Sequence, residues 1–319
     1  MAVLSDKIIC VFGGTGFVGR YIVQALARAG YRIKVVTRHA EKAYFLRTYG
    51  VVGQVVPFEA DYTHEADLAE ALRGAYAVVN CLGVLYETSK QKFNDIHNHV
   101  PELIARHAVK EGVQKFVHIS ALACERGQSR YAQTKHSGEE AVAREFSGAV
   151  ILRPSVIFGS EDEFFNKFAG MTSFMPFLPL IGGGQTRFQP VYVEDVAQAA
   201  ARAVIEDDME GIYELAGPET MTFEEIYKRI FAYVGKSRPL LTAPWALAKM
   251  KAAFLGMLPH PLLTTDQVES LKTDNVTSGA EKTFTDIGIS PTAVDLIVPA
   301  YLSRFRAGGR FGDKKKAAA

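Results

Sequence analysis

Short apolar runs alternate with longer amphipathic stretches through the first half of the chain. The runs predict strands at 7–12, 31–37, 54–58, 75–80, 114–119 and 148–152. Apolar residues recurring at spacings of three and four predict helices near 17–29, 41–48, 64–72, 91–111 and 131–146. The strands are apolar throughout rather than alternating, as expected of a parallel sheet buried on both faces. Strand–helix alternation of this kind requires right-handed crossovers and predicts an α/β, doubly wound parallel sheet. Beyond about residue 155 the rhythm breaks. Residues 158–184 are rich in Phe, Met, Pro and Gly. Pro190-Val191-Tyr192-Val193 then reads as a strand running into a helix over 193–205, and 212–215 reads as another short strand. Thr222-Phe223-Glu224-Glu225 has the form of a helix start, a hydroxyl cap followed by acids in the first turn. The predicted organisation is a sheet domain over 1–157 and a smaller, mostly helical lobe over 158–305. Parts of 186–216 return to the sheet, and a basic flexible tail covers 306–319.

The first strand runs into Gly13-Gly14-Thr15-Gly16-Phe17-Val18-Gly19 and then into a helix. A glycine-rich turn between a buried strand and a helix is the dinucleotide fingerprint in its expected setting. Gly13 permits the tight turn, Gly16 lets the N–H groups of Thr15, Phe17 and Val18 approach a pyrophosphate, and Gly19 lets helix and strand pack closely. The predicted fold is therefore of Rossmann type. At the end of the second strand stands Val36-Thr37-Arg38-His39, with no acid to take a ribose 2′-hydroxyl. Arg38, beside His39, instead suits a 2′-phosphate, which points to NADP(H). Asp61 and Tyr62 follow the third strand, where they would meet adenine. Cys81, Leu82 and Gly83 end the fourth, beside the pyrophosphate and ribose. Ser120 ends the fifth strand, and Tyr131 and Lys135 lie four apart at the head of the next helix, on one face. A lysine beside a phenol lowers its pKa, and a serine hydroxyl can polarise a carbonyl.

Net charge is +1, so nothing in the overall balance points to nucleic acid. The charge is uneven: residues 304–319 hold six cations and one acid. Such a tail reads as solvated, or as a contact for anionic lipid or an acidic partner. The three cysteines are widely spaced and the histidines form no metal-binding spacing, so neither a disulfide frame nor a metal site is expected. The first strand starts too early to leave room for a signal or transit peptide. The longest uncharged window, 168–186, is broken by Pro176, Pro179 and three glycines, which argues against a transmembrane helix. Trp245, Leu247, Met250, Phe254, Met257 and Leu258 form a broad apolar stripe, open to two readings: a helix buried in the lobe, or a docking face.

The glycine turn, Ser120, Tyr131-x-x-x-Lys135 and Leu152-Arg153-Pro154 together resemble the atypical, extended-type short-chain dehydrogenase/reductases. The stretches Arg153–Gly159, Glu161–Asn166, Gln189–Val196 and Pro259–Val268 narrow the resemblance to the NADPH-binding accessory subunits of respiratory complex I, in their alphaproteobacterial form. The resemblance covers nearly the whole chain. It implies a tightly held NADPH, with Lys135 on the nicotinamide ribose, Tyr131 beside it and Pro154 lining the site. It implies other complex I subunits as partners, near the membrane and the quinone site, with peripheral placement on the cytoplasmic side of a bacterial inner membrane. It implies no established turnover. The alternative is a soluble NADP-dependent reductase or epimerase, with Tyr131 as acid/base, Lys135 tuning it and Ser120 as carbonyl donor. A third reading is a sensor of the NADPH/NADP ratio. The separation of Ser120 and Tyr131 is short for the extended enzymes, which weighs against an organic substrate.

Overall fold

The computed structural model describes residues 4–256, 258 and 261–309. In chain order the strands and helices of the first half are β1 (Ile8–Phe12), α1 (Phe17–Arg28), β2 (Arg32–Thr37), β3 (Val55–Glu59), α2 (Glu65–Leu72), β4 (Ala75–Asn80), α3 (Val100–Lys110), β5 (Lys115–Ile119), α4 (Arg130–Glu145) and β6 (Val150–Pro154). The second half adds β7 (Ile157–Phe158), α5 (Phe165–Phe174), β8 (Leu178–Ile181), β9 (Arg187–Phe188), β10 (Val191–Tyr192), α6 (Val193–Ile205), β11 (Gly211–Leu215), β12 (Met221–Thr222), α7 (Phe223–Val234), β13 (Leu240–Ala243), α8 (Trp245–Leu255), α9 (Thr265–Ser270), β14 (Lys282–Thr283) and α10 (Val294–Leu302).

Two compact units emerge. The first runs to Pro154 and takes in Val193–Leu215 and Ser278–Ser290. It holds an eight-stranded sheet in the order β14-β11-β6-β5-β4-β1-β2-β3, parallel at every pairing. The doubly wound parallel sheet anticipated from the apolar runs is present, with its order reversing between β1 and β4. The central strands β1 and β4 are buried because helices cover both faces. The second unit comprises Ser155–Tyr192, Ala216–Thr277 and the residues from Pro291 onward. Its core gathers Phe158, Phe165, Phe223, Tyr227 and Ile230 from β7, α5 and α7. Helix α7 starts as its sequence requires: Thr222 and Glu225 cap each other's backbone reciprocally.

Two segments depart from expectation. The stretch predicted as a helix over 41–48 is a 3₁₀ segment, Ala40–Tyr49. Its buried residues, Ala43 and Leu46, are three apart, which matches a three-residue turn. The helix predicted over 91–111 starts at Phe93, carries a π turn over Asp95–His99 and continues as α3 from Val100. Pro101 has no N–H to give the carbonyl of His97, so the ladder widens there. Met257, Pro259, His260 and the tail from Arg310 lie outside the described residues.

Candidate functional site

The site is built at the carboxyl ends of β1 to β6. Gly13 has φ +76°, and a Cβ there would lie 2.9 Å from the Cys81 carbonyl. A Cβ on Gly19 would come within 2.2 Å of the Gly13 oxygen. Only glycine lets the turn, the end of β4 and helix α1 meet so closely. The Gly16 N–H closes the turn on the Gly13 carbonyl at 3.0 Å. Helix α1 then begins with no side-chain cap and no acid in its first turn. Its leading N–H groups and the positive end of its dipole therefore form an anion-binding end beside Thr15, Phe17 and Val18. The local sequence reading overlooked Arg20, whose guanidinium donates to the Gly16 and Thr15 carbonyls at 3.2 and 3.4 Å. A cation in the first turn opposes the helix dipole, an arrangement that an anion at the turn would reconcile.

A second part of the site is an open cleft of about 910 Å³ lined by Arg38, His39, Glu59, Asp61, Asp67 and the loop 88–91. Of the residues anticipated for the adenosine end, Arg38, His39 and Asp61 meet here, and the Arg38 guanidinium lies 5.2 Å from the centre of the buried Tyr62 ring. The Asp61 carboxylate accepts the Thr63 N–H and hydroxyl at 3.0 and 2.7 Å, and these bonds hold it below the usual carboxylate range. Burial pushes the Tyr62 phenol up. The sheet register sets Glu59 directly beside Thr37, next to Arg38. An acid therefore does stand near the end of β2, contributed by β3, where a reading along β2 alone cannot find it.

A third part surrounds Lys135. Its Nζ donates to the Ile119 carbonyl at 3.0 Å, with the Leu82 carbonyl at 3.5 Å, and burial lowers its pKa to about 8. Ser120 is buried at the end of β5, its N–H on the Leu152 carbonyl at 2.7 Å. Tyr131 sits in the first turn of α4, which Ser129 caps, and meets the edges of Phe93 and His97. Cys81 and Leu82 continue β4: the Cys81 N–H reaches the Phe12 carbonyl, the Leu82 N–H reaches Asn80, and burial pushes the Cys81 thiol to about 12. Gly83 lies against Lys135, and the Pro154 carbonyl accepts the Leu122 N–H at 2.9 Å. His97 is buried and packs against Phe93 and Tyr131. Its Nε2 accepts the Val84 N–H at 3.1 Å and its Nδ1 meets Thr134 at 3.1 Å, tying the loop after β4 to α4. Burial, then the charge of Lys135, lowers its pKa to about 2, so it stays neutral.

Behind these groups the Arg153 guanidinium grips Glu139 at 2.9 and 2.6 Å, both buried, and meets Glu125 at 3.3 Å. Cys124, His136 and Glu139 come together closely enough to raise the question of a metal, with donor atoms within 4.8 Å. The charge of Arg153 already occupies that carboxylate, a poor neighbour for a further cation.

Residues 9–216 match the model of the NAD dependent epimerase/dehydratase family. Over 96% of its length the chain is 34% identical to NADH dehydrogenase (ubiquinone) 1 alpha subcomplex subunit 9, mitochondrial, of Arabidopsis thaliana, covering 80% of that protein. It is 31% identical to the NADH-ubiquinone oxidoreductase 40 kDa subunit, mitochondrial, of Neurospora crassa, over 97% of this chain and 82% of that one. The chain belongs to this family of respiratory complex I subunits, a branch of the epimerase/dehydratase family. Among solved structures, an NADPH-dependent quinone oxidoreductase of Escherichia coli superposes with a TM-score of 0.75 at 22% identity, covering 92% of this chain and 99% of that one. That likeness is one of fold. The geometry offers an uncapped helix end at the glycine turn, an open cleft with a cation in its lining, and a buried lysine one helical turn on from a tyrosine. The dinucleotide class fits these residues: an uncapped helix end faces the turn, and Arg38 lines the cleft without an ion pair among the described residues.

Proposed function

We propose that this chain is an accessory subunit of respiratory complex I that binds NADPH as a structural ligand and stabilises the junction of peripheral and membrane arms near the quinone site. The observation that carries the reading is near-full-length likeness to respiratory subunits in a chain with a glycine turn at an uncapped helix end. In this reading the N–H groups of Thr15 to Val18 hold the pyrophosphate, with Gly13, Gly16 and Gly19 making room. Arg38 and His39 take the 2′-phosphate, and Asp61 and Tyr62 take adenine. Cys81, Leu82, Gly83 and Pro154 line the ribose and nicotinamide end, with Ser120, Tyr131 and Lys135 around the nicotinamide ribose. When bound, NADPH can supply a hydride. The residues derived above bind, orient and shield it.

The partners in this reading are the other complex I subunits, with peripheral contact to the membrane or anionic lipid on the cytoplasmic side of a bacterial inner membrane. Helix α8 supports that placement. Its small residues Ala248 and Ala252 are buried, while Leu247, Met250 and Phe254 face outward. Of the apolar stripe, Leu247, Met250, Phe254 and Leu258 are thus exposed, Trp245 packs against the small core around Ile181 and Val268, and Met257 lies outside the described residues. Among the described residues no helix is long and apolar enough to cross a membrane.

The test is Gly16→Val. A Cβ on Gly16 would meet the Gly13 oxygen at 3.3 Å, a tight contact, so the variant is compared with wild type both with and without added NADPH to separate the cost of the substitution from the loss of the ligand. A ligand confined to the native state adds about 4 kcal/mol at a thousand times its dissociation constant. The variant should lose copurifying NADPH, melt earlier than the wild type purified alongside it, and fail to comigrate with the respiratory complex. Normal stability and assembly without NADPH would refute the structural role. A second reading, an NADP-dependent reductase, draws on the buried Lys135 near Tyr131. Turnover of a small carbonyl that disappears in Tyr131→Phe would favour it.

A further inference from the structure

We propose that Lys90, on the loop after β4, is a second phosphate ligand at the adenosine end of the site and, with Arg38, sets the preference for a 2′-phosphorylated dinucleotide. The proposal rests on the NADP(H) reading above and adds a residue that the β2 motif does not contain.

Lys90 and Arg38 line the same cleft. That cleft also holds Glu59, Asp61 and Asp67, three carboxylates around the place where a phosphate of nearly two negative charges would sit. Arg38 alone does not offset them. All three acids are engaged by the protein's own donors: Glu59 accepts the Ala40 N–H at 3.0 Å, Asp67 the Asp61 N–H at 2.8 Å, and Asp61 the Thr63 groups. None of them forms an ion pair with Arg38 or Lys90 among the described residues. The acids of the cleft are thus hydrogen-bonded to its own walls, while Arg38, which acts on Asp61 through space, and Lys90 line it without an ion pair to these acids among the described residues.

The loop that carries Lys90 is folded in advance. The Thr88 hydroxyl accepts the N–H groups of Lys90 and Gln91 at 3.3 and 3.1 Å, and the Thr88 N–H donates to the Gln91 carbonyl at 2.9 Å. On its flanks the loop is anchored by the Val84 N–H on His97 and by Glu87, which accepts the Phe93 N–H at 3.0 Å and faces Arg130 at 3.3 Å. Little loop entropy is then lost when a ligand engages. A lysine suits the position: its ammonium is a compact charge on a flexible four-carbon stem that can follow a phosphate, whereas Arg38 is held over a ring.

The experiment is calorimetric titration of the full chain with adenosine 2′,5′-bisphosphate and with adenosine 5′-monophosphate, on wild type, Lys90→Ala, Lys90→Arg and Arg38→Ala. The wild type should prefer the bisphosphate. Lys90→Ala should weaken bisphosphate binding about tenfold, one charge-assisted bond, and leave monophosphate binding unchanged, with Lys90→Arg restoring most of the loss. Equal weakening of both ligands, or no weakening, while Arg38→Ala abolishes the preference, would overturn the role of Lys90 and leave the NADP(H) reading standing. A wild type with no preference for the bisphosphate would overturn both. Lys90 is exposed, so a melting temperature equal to that of wild type serves as the folding control.

Discussion

The sheet unit and the lobe differ in how far their outermost aromatic rings stand out. In the sheet unit several rings have a cation of the same unit near them: Arg20 over Phe45, Arg47 over Tyr44, Lys34 over Phe58, and Arg38 over the buried Tyr62. Tyr44 and Phe45 are 49% and 41% exposed. Behind them the buried Arg153 pairs with Glu139. In the lobe cations lie near Trp245 and Phe305, but other rings stand farther out. Phe174 is 89% exposed, Phe254 72% and Met250 56%, and on α8 the small residues go inside while the large ones stay out. Burying alanines and exposing phenylalanine forgoes on the order of 2 kcal/mol per large side chain, which suits a surface that another body covers. The sheet unit carries the open cleft and the glycine turn. The other keeps an apolar face.

That contrast can be broken, and the largest effect should come from the sheet unit. Burial pushes the Glu139 carboxyl up, but its bonds to Arg153 outweigh this and hold it below the usual range. Glu139→Ala removes the bidentate partner of a buried guanidinium, leaving it Glu125 at the edge, and should cost about 3 kcal/mol in urea unfolding. A loss below about 1 kcal/mol would mean that water reaches Arg153.

The next effect has the opposite sign. Lys135 titrates near 8 in the folded protein against 10.5 in the unfolded chain, so its buried charge penalises the ligand-free fold below about pH 8. Between about 8 and 10.5 the unfolded state binds the extra proton, and stability rises with pH. Lys135→Met should therefore stabilise the ligand-free protein by up to about 3 kcal/mol at pH 7, a gain that fades by about pH 10.5. Thermal unfolding of both proteins across that range checks it.

The buried histidines sharpen the same point on the acid side. His97 and His118 titrate near 2 and 3, driven down first by burial. Below about pH 6.5 the unfolded chain takes protons that the folded one refuses, so stability falls with acid. From pH 7 to 5 the loss is about 2 kcal/mol for each histidine. His97→Gln should flatten that slope by the share of one histidine, read from urea midpoints. An unchanged slope would place His97 in contact with water.

The smallest effect on folding should come from the lobe. Phe254→Ser removes an exposed ring, so the free-energy change on unfolding should stay within about 0.5 kcal/mol. Association with membranes or with the respiratory complex, followed by flotation and native electrophoresis, should drop markedly. A destabilised variant with intact association would reverse the contrast between the units.

Much of the fold was legible along the chain because its signals are local. Apolar runs locate parallel strands, glycine spacing locates the turn, and a hydroxyl three residues before a glutamate locates the start of α7. Each depends on contacts within a few residues. The 3₁₀ stretch at 40–49 and the π turn before α3 were hidden because they depend on fine spacing and on one missing N–H at Pro101. The candidate site divides the same way. Thr15, Arg38, Asp61, Ser120, Tyr131 and Lys135 follow strand ends or a helix start and could be nominated from position alone. Arg20 looks like an ordinary helix residue, and the bonds of His97 are not legible along the chain because Val84 and Thr134 lie on other segments.

By itself the sequence determined the doubly wound sheet, its glycine turn and the order in which candidate ligands follow the strands, since these follow from period and steric allowance along one chain. Only the tertiary structure decided what stands beside what. Register between β2 and β3 brought Glu59 next to Arg38, the folded loop after β4 brought Lys90 to the same cleft, and packing turned Leu247, Met250 and Phe254 of α8 outward. Charge balance and exposure depend on distances through space, and residues far apart in sequence acquire such distances only when the chain has folded.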